Sequence, residues 1–149
     1  MKVVLTDAHF ETLKRDSYVI VHNFLPEVQR MGMVGAIRRL LPPWEELEDK
    51  TVTSDSTYFP YPEQCLNQAI VNPEAIRFAR QWLGTEHIHY RPGLAMVRYP
   101  GFKGFPDSGK PHMDNGNNSL LPPSQSNRHH GQLNFWFYLE DVDEDQAPT

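Results

Sequence analysis

The sequence predicts an α+β fold in which helices come first and strands follow. Up to Gly84 the apolar residues recur at helical spacing behind recognisable caps. After Gly84 they alternate, bounded by proline and glycine. Thirteen prolines and nine glycines are spread through the 149 residues, which implies long loops between short elements rather than one disordered tail. No internal repeat and no linker divides the chain, so a single domain over 1–149 is expected, mainly helical over 1–84 and stranded over 85–149.

In the first element Thr6 can cap a helix whose Phe10 and Leu13 fall on one face, ending near Asp16-Ser17. Tyr18-Val19-Ile20-Val21 is β-branched and aromatic and reads as a short strand. Pro26 suits the first turn of a second helix, where its missing N–H has no partner to lose. Val28, Met31, Ile37, Leu40 and Leu41 would form its apolar stripe, and Pro42-Pro43 would end it. From Trp44 to Val71 no period persists, and Tyr58-Phe59-Pro60-Tyr61-Pro62 reads as a loop. The next helix has Asn72 as cap, Pro73 as first residue and Glu74 at the positive end of the dipole. Ile76, Ala79, Trp82 and Leu83 would be its buried face, and Gly84 its left-handed close. Beyond it, Glu86–Tyr90 and Leu94–Tyr99 read as strands around the turn Pro92-Gly93. Lys110–Asp114 is a further candidate strand, between a glycine-rich loop and a long polar one. Gln132–Glu140 is the strongest.

Composition narrows the function. The hydrophobic fraction of 39 % supports a core, but no apolar run approaches the roughly 20 residues of a spanning helix. Only the three-residue apolar run Val3-Val4-Leu5 lies between Lys2 and Asp7, too short for the apolar region of a signal peptide. The single cysteine, Cys65, forms no internal disulfide, so a cytoplasmic location is expected. A net charge of −5 argues against general affinity for nucleic acid or anionic lipid.

Pro111-His112-Met113-Asp114 carries the clearest chemistry. In an extended segment, residues two apart share a face. His112 can therefore offer an imidazole nitrogen and Asp114 a carboxylate oxygen to one metal ion. A second histidine would complete the facial triad of non-haem Fe(II) oxygenases. The alternative for the tripeptide is a loop histidine bonded to a nearby aspartate. His87-Ile88-His89 could mimic a cupin His-x-His, although solvent-facing histidines beside Ile88 and Tyr90 fit better. His129-His130 could donate a third ligand from the loop after Asp114, although a solvated loop pair fits better, Arg98 stays open between cosubstrate contact and exposed strand residue, and Cys65 has no histidine partner to activate it.

Several segments follow one another in order. They are Asp16-Ser17-Tyr18-Val19-Ile20-Val21-His22-Asn23-Phe24-Leu25-Pro26, Leu94-Ala95-Met96-Val97-Arg98-Tyr99-Pro100, Pro111-His112-Met113-Asp114, and Leu133-Asn134-Phe135-Trp136-Phe137-Tyr138-Leu139-Glu140-Asp141-Val142. This ordered set resembles the phytanoyl-CoA dioxygenase-like family of Fe(II)- and 2-oxoglutarate-dependent oxygenases. The likeness implies N-terminal helices packed on a double-stranded β-helix, the jelly-roll core also seen in cupins. It implies Fe(II), 2-oxoglutarate and O₂ as cofactor and cosubstrates, and a small-molecule or acyl substrate. His112 and Asp114 would be iron ligands. Trp136 matches an aromatic position near the cosubstrate, and Asn134 shares its face by period-two spacing. Hydroxylation would accompany decarboxylation of 2-oxoglutarate to succinate and CO₂. Asp114 favours hydroxylation over halogenation, because related halogenases lack this carboxylate.

The family's second iron-binding histidine and its basic anchor for 2-oxoglutarate come later than Glu140, and the chain stops at Thr149. A truncated domain is therefore expected, with an incomplete jelly roll and no oxygenase activity of its own. Three other readings stand beside this one: a non-catalytic jelly-roll binding module, a cupin-type metalloenzyme using His87 and His89, and a zinc hydrolase using His112 and Asp114.

Overall fold

The computed structural model describes residues 3–41, 43–46, 54–90, 94–97 and 133–143. Within them, α1 spans Asp7–Asp16, α2 Glu27–Leu40, α3 Gln64–Ile70 and α4 Pro73–Leu83, with a short 3₁₀ turn at Trp44–Glu46. Strand β1, Ser54–Tyr58, pairs antiparallel with β2, Leu94–Val97. Thr57 stands opposite Ala95 and Tyr58 opposite Leu94, and the register shifts before Ser54 meets Val97.

The helix ends follow from their residues. Asn72 Oδ1 accepts the backbone N–H of Glu74 at 2.9 Å and of Ala75 at 3.3 Å, which satisfies two of the four orphan donors of α4. Gly84 closes α4 at φ 68°, a left-handed conformation that a side chain would disfavour. Ser17 closes α1 at φ 67° and its N–H donates to the Leu13 carbonyl. α2 starts behind Pro26, and the Leu41 N–H still reaches back to Ile37.

Two apolar clusters hold these elements. In the first, Met33 and Ala36 of α2 meet Leu66 and Ala69 of α3, Tyr61 of the connecting loop and Ala95 of β2. In the second, Leu5 and Leu13 meet Phe78 of α4, with Phe10, Val19, Val21, Phe24, Trp82 and Leu133 packed around them. Phe10 touches Phe78 and Trp82 edge-on, with ring centroids 6.0 and 5.3 Å apart. Phe78 is only 2 % exposed, a burial that contributes about 1.5–3 kcal/mol.

The expected jelly-roll architecture is corrected by this structure. Among the described residues there are helices of 10, 14, 7 and 11 residues but strands of only five and four. They form one two-stranded ribbon and no sheet core. The reason lies in what strand-like alternation measures, which is fit to a half-buried surface and not pairing as such. Residues 18–21 are extended but in no sheet. Val19 and Val21 turn into the second cluster, while Tyr18 and Ile20 face outward. Residues 86–90 are likewise outside any sheet, and so are 133–140. For residues 18–21 and 133–139, helix surface takes the role that neighbouring strands were expected to play.

Smaller expectations shift as well. β1 and α3 lie in the stretch where the sequence shows no sustained period. On α4 the fully buried residues are Ala75, Phe78 and Ala79, and Ile76, Trp82 and Leu83 sit at the boundary. On α2 they are Met33, Val34 and Ala36, whereas Val28 is 87 % and Met31 53 % exposed. The buried stripe of α2 thus begins only at Met33.

The cap at α4 gives a direct test. Asn72→Ala should lower unfolding free energy by about 1 kcal/mol and Asn72→Asp by much less, read from urea denaturation midpoints. Equal stability of Asn72→Ala and wild type would show that the cap contributes nothing.

Candidate functional site

His112 and Asp114, the proposed metal ligands, lie outside the described residues, as do Arg98, His129 and His130. Asn134 and Trp136 are described. They sit on an extended segment, 133–143, that lies against the helices. Phe137 stacks on Phe24, with centroids 6.0 Å apart and planes 22° from parallel. Leu133 packs on the second cluster and Leu139 on the first. Asn134 and Trp136 fall on the outer side, with Trp136 57 % exposed. Leu133, Phe137 and Leu139 thus share the helix-facing side, and Asn134, Trp136 and Tyr138 the solvent-facing one.

Arginines of α2 fasten this segment. Arg30 donates from Nη1 to the Leu139 carbonyl, and from Nε and Nη2 to both carboxylate oxygens of Glu27, at 2.8 and 2.6 Å. The planar guanidinium fork allows both at once. Arg38 Nη2 reaches Glu140 at 3.1 Å. Both partners there are exposed, so that pair adds little. Hydrogen bonds from Arg30 are the main reason the Glu27 carboxyl titrates below the usual carboxylate range. Arg39 does the same to Glu63 through two bonds of 2.9 Å, joining α2 to the N-terminal end of α3. Neither arginine was a candidate from the sequence. The only signal was i,i+3 spacing of Glu27 and Arg30.

The remaining candidates are now placed. His87 and His89 are exposed, and the His87 N–H donates to Thr85 Oγ1 at 3.1 Å. Among the described residues no three of His, Cys, Asp or Glu stand together in a way that could hold a metal ion. Cys65 is a half-buried free thiol 3.6 Å from the Gly32 carbonyl oxygen. Burial pushes the Tyr61 hydroxyl above its ordinary range. Among the described residues no helix is long and apolar enough to cross a membrane.

No family model matches the chain, and neither curated proteins nor solved structures yield a match.

Arg30 should be irreplaceable by lysine, since a single ammonium cannot brace Glu27 and hold Leu139 in the same geometry. Arg30→Lys is expected to raise amide hydrogen exchange across residues 137–141. Unchanged exchange would show that the segment is held by Phe137 and Leu139 packing alone. The Glu27 contribution has a defined sign. Its carboxyl is lowered in the folded state, so its stabilising effect is complete above the unfolded carboxylate range and is lost as pH falls below about 4. Glu27→Gln should flatten that part of the acid-unfolding curve.

Proposed function

We propose that this chain belongs to an Fe(II)- and 2-oxoglutarate-dependent oxygenase that hydroxylates a small-molecule or acyl substrate. The observation that carries the reading is the ordered set of segments in the sequence, with His112 and Asp114 at its centre. A neutral imidazole nitrogen and a carboxylate oxygen two residues apart fit two of the three protein positions of a facial triad. The donor set thus suits Fe(II), and the remaining protein ligand is not assigned.

The chain's own residues would act by holding and orienting. His112 must be deprotonated at its ligating nitrogen, so metal affinity is tied to pH. Asp114 supplies a hard anionic donor, and its presence favours hydroxyl transfer over halide transfer. Bound iron would supply the activation of dioxygen, coupled to conversion of 2-oxoglutarate to succinate and CO₂. Trp136 and Asn134 are proposed as pocket residues for the cosubstrate. Cys65, present as a free thiol, suits a reducing cytoplasmic setting.

Anaerobic calorimetric titration of the 149-residue chain with Fe(II) tests the ligands. His112→Ala and Asp114→Ala should each weaken binding about tenfold or more. Wild-type affinity should itself fall as pH drops through the histidine range, near 6.5. Unaltered affinity in both variants would remove the two residues from the site. Succinate formed from 2-oxoglutarate with Fe(II) and ascorbate separates an oxygenase from a zinc hydrolase built on the same pair.

A further inference from the structure

We propose that Met31 is a reversible oxidative modification site, whose conversion to the sulfoxide by a peroxide releases the 133–143 segment from α2. Met31 is 53 % exposed on α2, whereas Met33 is 5 % exposed and belongs to the first cluster. An oxidant in solution therefore reaches the first sulfur far more readily than the second. Met31 Sδ also lies 3.3 Å from Arg30 Nη2. That guanidinium is the group that donates to the Leu139 carbonyl while bracing Glu27. An accessible thioether thus sits against the cation that fastens the segment.

The chemistry is a two-electron transfer of one oxygen atom. A lone pair on Sδ attacks hydrogen peroxide, the O–O bond breaks and an S–O bond forms. The departing oxygen takes up the proton that the transferred oxygen gives up, and leaves as water. Sulfur is oxidised and the peroxide reduced. A thioether is a weak acceptor, whereas the sulfoxide is polar and stands on a flexible side chain. The 3.3 Å between Nη2 and Sδ has no room for the new oxygen, since an N–H···O contact alone takes about 2.9 Å. The guanidinium must therefore shift to meet it. Glu27 is a carboxylate held by two bonds, and charge-assisted pairs of that kind are the strong ones. The neutral Leu139 carbonyl is the partner given up. Arg77 supplies a contrast. It donates to the Leu5 carbonyl and pairs with Glu74 at 2.7 Å, and its further partner is Gln81 Oε1 at 3.3 Å, not a sulfur. The Leu5 N–H donates to Glu74 Oε1 at 2.5 Å, and the next amide, Thr6 N–H, caps α1 by donating to His9 Nδ1 at 3.0 Å. None of these bonds involves Met31.

The test treats the full chain with dilute hydrogen peroxide and then briefly with chymotrypsin. The chain has five methionines, so the oxidised position is located by peptide mass mapping. Phe135, Trp136, Phe137 and Tyr138 are chymotrypsin sites, and cleavage there tracks the population in which the segment has left the helices. Its rate should rise about tenfold or more once Met31 is oxidised, as expected for loss of one hydrogen bond to a charged group. Cleavage at Leu5 should keep its rate. A methionine sulfoxide reductase with dithiothreitol should restore slow cleavage, the oxygen leaving as water while the dithiol becomes a disulfide. Met31→Leu should stay slow after peroxide, and Met31→Gln, with its permanent amide oxygen, should be fast without it. Oxidation of Met31 no sooner than Met33 would overturn the proposal. So would cleavage that the sulfoxide leaves unchanged, a rise that Met31→Leu shares, or one that reduction does not reverse.

Discussion

Burial of three alanines is the constraint on which the larger of the two clusters depends. Ala36 on α2 is fully buried, and Ala69 on α3 and Ala95 on β2 are nearly so. The distance between packed helices is set by the side chains at their contact. A methyl group at each of these positions lets α2, α3 and the ribbon come together without a large residue between them. Met33, Leu66 and Tyr61 then close the cluster around that meeting point. A bulkier residue at Ala36, which has no exposed surface, would overpack this cluster, and overpacking is itself destabilising.

The second cluster is organised differently. Aromatic rings dominate it, and it gathers parts of the chain that are far apart in sequence: Leu5, Phe10 and Leu13, then Phe78 and Trp82, then Leu133. Its extended segments contribute one face each. The two clusters share a common logic, in which helices offer continuous apolar surface and the irregular chain is laid upon it. Arginine forks then secure the backbone of that chain where no sheet partner does so among the described residues, at Leu5 and at Leu139.

Helices with their own punctuation were legible in the sequence. Asn72-Pro73-Glu74 and Gly84 marked both ends of α4, and Pro26 with Pro42-Pro43 bracketed α2, because capping is a local interaction between neighbouring residues. The depth of each helix face was less legible. Val28 and Met31 match the period of a buried stripe, but burial depends on whether another element arrives there, and the described structure leaves both exposed. Strand-like alternation misled for a related reason. It reports that one face of an extended segment is covered, without saying whether strand or helix covers it. α3 escaped notice because seven residues are too few to display a period. For the candidate site, the pairing of His112 with Asp114 came from spacing, and the positions of Trp136 and Asn134 on the outer side of their segment required the fold. The His9 contact was hidden because histidine is not among the usual residues at that position.

The fastening of Leu5 has a consequence for how the protein is made. Its partners, Glu74 and Arg77, lie 69 and 72 residues further along the chain. A ribosome adding about 5–20 residues per second would need about 4–14 s to synthesise that interval. Throughout that time the newborn segment around Val3, Val4 and Leu5 has no α4 to lie against, and α1 must rely on its own first turn. The capping contact between Thr6 and His9 spans only three residues. It is therefore available as soon as α1 emerges, long before the guanidinium that will later grip the same peptide has been translated.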